Sequence, residues 1–160
     1  MHSRIFQIST SPVAQADYIK TSDFIDHWFV GSVADYVSSD NDRDEDIQDL
    51  RSCFEKRKAA QFNTNGPIVS FIILPGGKEA YFAKPYEEFT AAIDEIMELG
   101  LREFACGEFD SLVWKMQESY CSKYNFYLSI DDEVVPLAKF IRDAVIGTRY
   151  YIGGTLDYHC

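Results

Sequence analysis

Cysteine and histidine are scarce in this sequence, with four Cys and three His among 160 residues. The cysteines, Cys53, Cys106, Cys121 and Cys160, lie far apart and form no CxxC pair. The opening residues, MHSRIFQIST, lack the apolar core of a secretory signal peptide. Because secreted disulfide-rich proteins and CxxC sites both need features that are missing here, we expect a cytoplasmic location.

Long hydrophobic runs are also missing. The longest is IVSFIIL, from Ile68 to Leu74. A helix needs about 20 apolar residues to cross the hydrocarbon core of a bilayer, so this run is too short. It predicts a buried strand, and we expect no association with a membrane.

Common catalytic motifs do not occur. The sequence contains no GxSxG, HExxH, GxxxxGK[ST] or GxGxxG. The lone Gly76-Gly77-Lys78 is predicted to lie in a hairpin turn rather than to open a helix. His159 and Cys160 are adjacent, and neighbouring side chains of a strand point to opposite faces, so this pair does not predict a metal site. We expect no cofactor and no bound metal.

Acidic and aromatic residues are abundant instead. The formal net charge is −11, from 26 acidic and 15 basic residues, and residues 1–50 hold ten Asp or Glu against three Lys or Arg. Apolar residues make up 46%, with 12 Phe and 10 Tyr, which is too hydrophobic for a disordered acidic tail. The charge therefore belongs to a folded body, and it disfavours direct binding of nucleic acid.

Local patterns in the first third predict one strand and two helices. Alternation from Arg4 to Ile8 predicts the strand. Apolar residues recur every four positions between Asp23 and Val37 and predict the first helix. A second helix is predicted to start near Asp42, with an apolar face that begins at Ile47. Its first residues are rich in carboxylates and its last residues are basic, as the helix dipole favours.

The remaining two thirds predict two hairpins, three helices and a further strand. The first hairpin joins Ile68–Leu74 to residues 79–83, and the second joins residues 149–152 to 155–158 through Gly153-Gly154. Helices are expected at residues 85–99, 109–120 and about 131–145, and a strand at residues 126–130. The fold class predicted is α+β: one domain, residues 1–160, with a mixed or mainly antiparallel sheet of hairpins packed against about five helices.

The acidic run SSDNDRDED suggests a calcium-binding loop, but its spacing does not match one. Asp40, Asp42 and Asp44 occupy positions one, three and five of an EF-hand frame. Position six is Glu45 where the loop requires Gly, and position twelve is Arg51 where a bidentate Glu should bind. No calcium site is predicted.

The same run fits electrostatic mimicry of nucleic acid. Carboxylates at i, i+3 and i+4 on a helix lie roughly 5–6 Å apart and can form a ridge that meets a basic protein surface. A solvated helix start is the alternative, because carboxylates there are favoured by the helix dipole. Tyrosines near the chain end add a candidate aromatic contact. The predicted partner-binding residues are Asp35, Asp40, Asp42, Asp44, Glu45, Asp46, Asp49, Tyr150 and Tyr151.

In composition, the chain resembles inhibitors encoded by phages and mobile elements, including antirestriction and anti-CRISPR proteins. The resemblance covers acidity, small size and an α+β pattern without catalytic signatures, and it involves no motif. It implies a non-enzymatic protein that occupies a basic, nucleic-acid-binding surface of a partner protein.

Two other function classes remain open from the sequence. One is a small enzyme that uses a pair of carboxylates, or a thiol of Cys106 or Cys121 close to His27 or His159. Free cysteines more often fill apolar cores. The other is a structural subunit of a homo-oligomer, and the sequence does not fix the oligomeric state.

Overall fold

A long C-terminal strand is the centre of the computed structural model, which describes residues 2–160. The sheet has seven strands, and its order is β3-β4-β7-β1-β5-β6, with β2 paired to the free end of β7. The strands are β1 (His2–Ser9), β2 (Tyr36–Ser38), β3 (Ala60–Asn65), β4 (Ile68–Ile73), β5 (Tyr127–Ile130), β6 (Glu133–Pro136) and β7 (Arg149–His159). Strands β1 and β5 are parallel and the other pairs are antiparallel. The predicted α+β class with a mixed sheet is confirmed.

Five α-helices and two short 3-10 turns complete residues 2–160. The helices are α1 (Arg43–Glu55), α2 (Gly77–Glu98), α3 (Leu101–Ala105), α4 (Asp110–Tyr120) and α5 (Leu137–Asp143), and the 3-10 turns are Gln15–Asp17 and Thr21–Phe24. Within these residues no helix is both long and apolar enough to cross a membrane.

Both faces of the sheet are covered. On one face, apolar residues of α1 and α5 pack against alternate sheet residues such as Phe6, Phe71 and Leu128. On the other face, the segment between β1 and β2 packs Phe24 and Phe29 against sheet residues such as Tyr158. In β1 and β5, the neighbouring residues Ile5 and Phe6, and Tyr127 and Leu128, thus belong to two separate cores, as the two-residue period of a strand requires.

The predicted terminal hairpin is wrong, because β7 runs without a turn. Gly153-Gly154 forms a β-bulge. Phe6 and Ile8 of β1 are two residues apart, whereas their partners in β7, Thr155 and Ile152, are three residues apart. A Cβ on Gly153 would lie 2.3 Å from Oε1 of Gln7. The bulge therefore moves the buried apolar side chains of β7 from one face of the sheet to the other, and the missing Cβ of Gly153 lets the side chain of Gln7 approach closely.

The predicted hairpin of Ile68–Leu74 with residues 79–83 is also wrong. Strand β4 pairs with β3, which precedes it, through a turn at Gly66 and Pro67. After β4, Gly76 has φ +74° and caps α2, which begins at Gly77. The Gly76-Gly77-Lys78 sequence thus opens a helix, and the helix expected at residues 85–99 is the later part of α2.

The helix predicted between Asp23 and Val37 does not form. Asp26 and Gly31 have φ of 61° and 88°, which no right-handed helix accommodates. Ile25 and Phe29 were expected on one face, but Ile25 is exposed and Phe29 is buried. The strand near residues 4–8, the start of α1 at Asp42 and the helix near residues 109–120 are confirmed.

The last predicted helix is shorter than expected. Asp131 and Asp132, expected near its start, both have positive φ and form the two-residue turn between β5 and β6. Strand β6 therefore occupies residues 133–136, and α5 begins only at Leu137.

Replacing Gly77 by Ala tests the contact that fixes the start of α2. The added Cβ would lie 2.1 Å from the carbonyl oxygen of Ala59, a backbone atom that cannot rotate away. We expect the free energy of unfolding to fall by about 1–3 kcal/mol, as for other overpacked sites, in chemical denaturation. Gly100→Ala is the control, because its Cβ would meet only the flexible end of Glu103, at 3.1 Å. Equal stability of both variants would contradict the contact.

Candidate partner-binding surface

The start of α1 presents a group of exposed carboxylates, here called the acidic surface: Asp40, Asp42, Asp44, Glu45 and Asp49. Asp42 is the N-cap, and its Oδ1 accepts hydrogen bonds from the backbone amides of Asp44, at 2.9 Å, and Glu45, at 3.2 Å. Asp40, Asp42 and Glu45 line one shallow, open depression together with Arg4 and Arg43. Most of the predicted acidic residues therefore lie close together.

Asp35 is exposed but lies apart from the acidic surface. Strand β2 separates it from Asp40, a distance of about 15 Å along an extended chain. Its Oδ2 lies 3.1 Å from Nδ1 of His159. It therefore belongs to a different group of side chains at the end of β7.

Asp46 is the clearest error among the predicted contact residues. Its side chain is 1% exposed, so a partner cannot reach it. It accepts hydrogen bonds from Nε of Arg4, from Nδ2 of Asn41 and, at 2.7 Å, from Oγ1 of Thr155. A buried carboxylate is tolerated only when donors satisfy it and a counter-charge offsets it, and both conditions hold here.

The same guanidinium also binds a second carboxylate. Nη1 of Arg4 donates to Oδ1 of Asp157, and Oδ2 of Asp157 lies 2.7 Å from Nδ1 of His2. We call the connected side chains of Arg4, Asn41, Asp46, Thr155, Asp157 and His2 the Arg4 network. The network joins the first strand, the last strand and the first turn of α1.

The two predicted tyrosines differ. Tyr150 is buried between Phe71 and Phe140, with ring centroids 5.7 and 5.0 Å away, and its hydroxyl accepts a hydrogen bond from the amide of Val145. It is therefore not a contact residue for a partner. Tyr151 is partly exposed and lines an open cavity with Tyr18 and other residues.

Two histidines come together although no sequence pattern predicts it. The register of β1 and β7 pairs His2 with His159, and the two rings lie 5.0 Å apart. His159 also stacks on Tyr36, at 5.3 Å. Only the pairing of the first strand with the last creates this group. Within residues 2–160, no group of three His, Cys, Asp or Glu side chains is arranged to hold a metal ion.

The two thiols considered for catalysis lie at the ends of α3 and α4. Cys106 is exposed beside Gly107, and Cys121 directly follows α4. His27 lies under the other face of the sheet, where its Nδ1 accepts a hydrogen bond from the amide of Phe29. Burial raises the pKa of the Cys53 thiol, although the nearby guanidinium of Arg57 opposes this.

The other shifted groups are core phenols. Burial raises the pKa of Tyr81 and of Tyr127 to about 12, and it raises the pKa of Tyr158 as well. Desolvation is the main cause in each case, and the hydroxyl of Tyr158 donates to the carbonyl of Asn125. These rings belong to the packed interior rather than to a cleft.

Comparison of the chain with protein-family models, with curated proteins and with solved structures finds no match. The function is therefore argued from the residues and their geometry.

Replacing Asp46 by Ala tests the Arg4 network. It removes one partner of a buried ion pair and leaves Arg4 incompletely compensated, so we expect the free energy of unfolding to fall by about 3–5 kcal/mol. Asp44→Ala is the control, because its exposed carboxylate contributes less than about 1 kcal/mol through the helix dipole. Chemical denaturation of both variants measures the difference. A loss from Asp46→Ala no greater than that of the control would contradict the network.

Alkylation with iodoacetamide at pH 8 tests the thiols. Only the thiolate reacts, so burial and the raised pKa should slow Cys53 by about tenfold or more relative to exposed Cys106. Mass spectrometry of peptides at successive times measures both rates. Comparable rates would show that Cys53 is accessible in solution.

Proposed function

We propose that the chain is a non-enzymatic acidic binding protein whose acidic surface occupies a basic, nucleic-acid-binding surface of a partner protein. It would act as an inhibitor of the kind that phages and mobile elements encode. The observation that carries the proposal is the acidic surface itself, five exposed carboxylates around one helix start.

The charge of the acidic surface is largely uncompensated. Among residues 2–160, its one ion pair joins Oδ1 of Asp44 to Nη1 of Arg43 across 3.6 Å. The guanidinium of Arg43 is also engaged elsewhere, since Nε and Nη2 donate to the carbonyl oxygens of Gly153 and Ile152. The carboxylates therefore remain available for Lys and Arg side chains of another protein.

The helix dipole accounts for only part of this pattern. Its effect is confined to the first turn, where Asp44 and Glu45 benefit from it. Asp40 precedes the helix, and Asp49 lies in its second turn. Because these two carboxylates gain little from the dipole, recognition by a partner is the better explanation of the whole group.

Mimicry also requires a fixed arrangement. The Arg4 network lies directly beneath the acidic surface and holds the first turn of α1 against the sheet. Fixed charges lose little conformational entropy on binding, and they steer a basic partner during association. This favours the acidic surface over a mobile acidic tail as a substitute for nucleic acid.

The triple variant Asp44→Asn, Glu45→Gln, Asp49→Asn tests the proposal. It removes three charges but keeps Asp42, which caps α1. We expect the partner captured from source cells to elute at lower salt, with affinity reduced by about tenfold or more. A double-stranded DNA oligonucleotide should release the partner from the protein, because both compete for the same basic surface of the partner.

The matched control neutralises three exposed carboxylates at the turn between β5 and β6: Asp131→Asn, Asp132→Asn and Glu133→Gln. Asn tolerates the positive φ of positions 131 and 132. Capture by the control should equal that of the unchanged protein. Equal capture by all three proteins, at every salt concentration, would refute the proposal.

A further inference from the structure

We propose that the helices α2, α3 and α4, here called the helical arm, bind an amphipathic helix of a partner protein whose apolar face is flanked by Lys and Arg. This inference goes beyond the acidic surface. The arm begins where β4 ends, beside Arg149 at the start of β7, whereas the start of α1 lies over the middle of that strand, where Arg43 donates to Ile152 and Gly153 and Asn41 donates to Thr155.

The contacts that hold the arm to the rest of the protein lie near its base. Tyr81 reaches the main core, and Nζ of Lys78 donates to the carbonyl oxygen of Arg142, at 2.5 Å. The guanidinium of Arg142 lies 4.5 Å from the ring centre of Phe82 and 4.1 Å from that of Tyr120. These contacts join the ends of α2 and α4 to α5.

Beyond the base, the arm covers little of its own apolar surface. In α2 only Gly77, Tyr81 and Ala92 are buried, and α4 contains no buried residue. A helix of a globular protein normally buries an apolar stripe against a core. Here the two helices pack against each other and leave the outer part of that stripe uncovered.

The uncovered part forms a groove between the two helices. A cavity of about 310 Å³ is lined by Phe82, Pro85, Tyr86, Phe89, Ser119 and Tyr120, with Arg142 at its base. Its walls are almost entirely apolar. The volume is at the small end of the range for ligand pockets, which suits one or two large apolar side chains.

Large apolar side chains are also exposed at the tip of the arm. Met97, Leu101 and Phe104 are 79%, 84% and 66% exposed, and Trp114 on α4 is 63% exposed. Isolated exposed apolar residues are ordinary, but a concentration of them marks an interaction surface. The arm therefore carries exposed apolar area at its tip as well as in the groove near its base.

The charge of the helical arm indicates which kind of partner binds in the groove. Residues 77–120 hold ten Asp or Glu and four Lys or Arg, a net charge of −6. Lys84 and Lys115 already face Glu88 and Glu95, each across 3.5 Å, so the free charge is negative. A second copy, an anionic lipid surface or a nucleic acid would all be repelled. A partner segment with Lys or Arg beside its apolar residues is attracted, and a helix is the shape that completes a groove between two helices.

A designed peptide tests the inference. The probe is a fluorescently labelled 16-residue helix of Leu and Lys, and a Leu/Glu peptide of the same pattern is its control. We expect the Leu/Lys peptide to bind the protein, and the Leu/Glu peptide to bind with an affinity lower by about tenfold or more. Fluorescence anisotropy measures both affinities, at about 0.3 M salt, which screens nonspecific electrostatic attraction.

Variants locate the site. Tyr86→Ser removes a groove residue that is 67% exposed, and it should weaken binding of the Leu/Lys peptide by about tenfold with an unchanged melting temperature. Ile25→Ser is the control, because that side chain is 72% exposed and lies outside the arm. The triple variant of the acidic surface should bind the peptide as the unchanged protein does, which separates this test from the proposed function.

Three results would overturn the inference. The first is no binding of the Leu/Lys peptide, and the second is binding that Tyr86→Ser leaves intact. The third is sedimentation that shows a dimer in the unchanged protein and a monomer in Tyr86→Ser, since a second copy would then be the occupant.

Discussion

The burial of Asp46 is the constraint on which the arrangement of this fold depends. A carboxylate with 1% exposure must be satisfied from within, and Arg4, Asn41 and Thr155 do this from a strand, a loop and the last strand. The first turn of α1 can therefore occupy one position only. Since Asp44 and Glu45 project from that same turn, the interior pairing also positions their exterior charges.

The molecule combines a firmly held surface with a loosely held one. The acidic surface lies over the Arg4 network and the main core, to which α1 contributes Ile47, Leu50 and Phe54. The helical arm, in contrast, contacts the body near its base, at Gly77, Tyr81 and Arg142. Charge on the first surface suits long-range attraction, and apolar area on the second suits close contact. Both features are what the proposed binding function requires.

Local signals in the sequence were sufficient wherever neighbours along the chain decide the structure. Asp42 as a cap and the strand near Arg4 are such cases. The α+β class was predicted from the mixture of strands and helices along the chain, and it is confirmed although neither predicted hairpin forms. Errors arose where distant residues decide. Gly153-Gly154 forms a bulge because β1 lies alongside, and Gly77 opens a helix packed against Ala59. The burial of Asp46 depends on Arg4 and Thr155, and no pattern within α1 distinguishes it from Asp44.

Residue-resolved hydrogen exchange of backbone amides is the most direct test of this account. It compares α1, which the Arg4 network holds rigidly, with the helical arm, which contacts the body at its base. The amide of Asp46 donates to the carbonyl of Asp42, at 2.9 Å, and the amide of Val113 donates to that of Phe109, at 2.9 Å. We expect the amides of residues 46–50 to exchange only through global unfolding, and those of α4 to exchange through a less costly local opening. Exchange of α1 as fast as that of α4 would contradict the account.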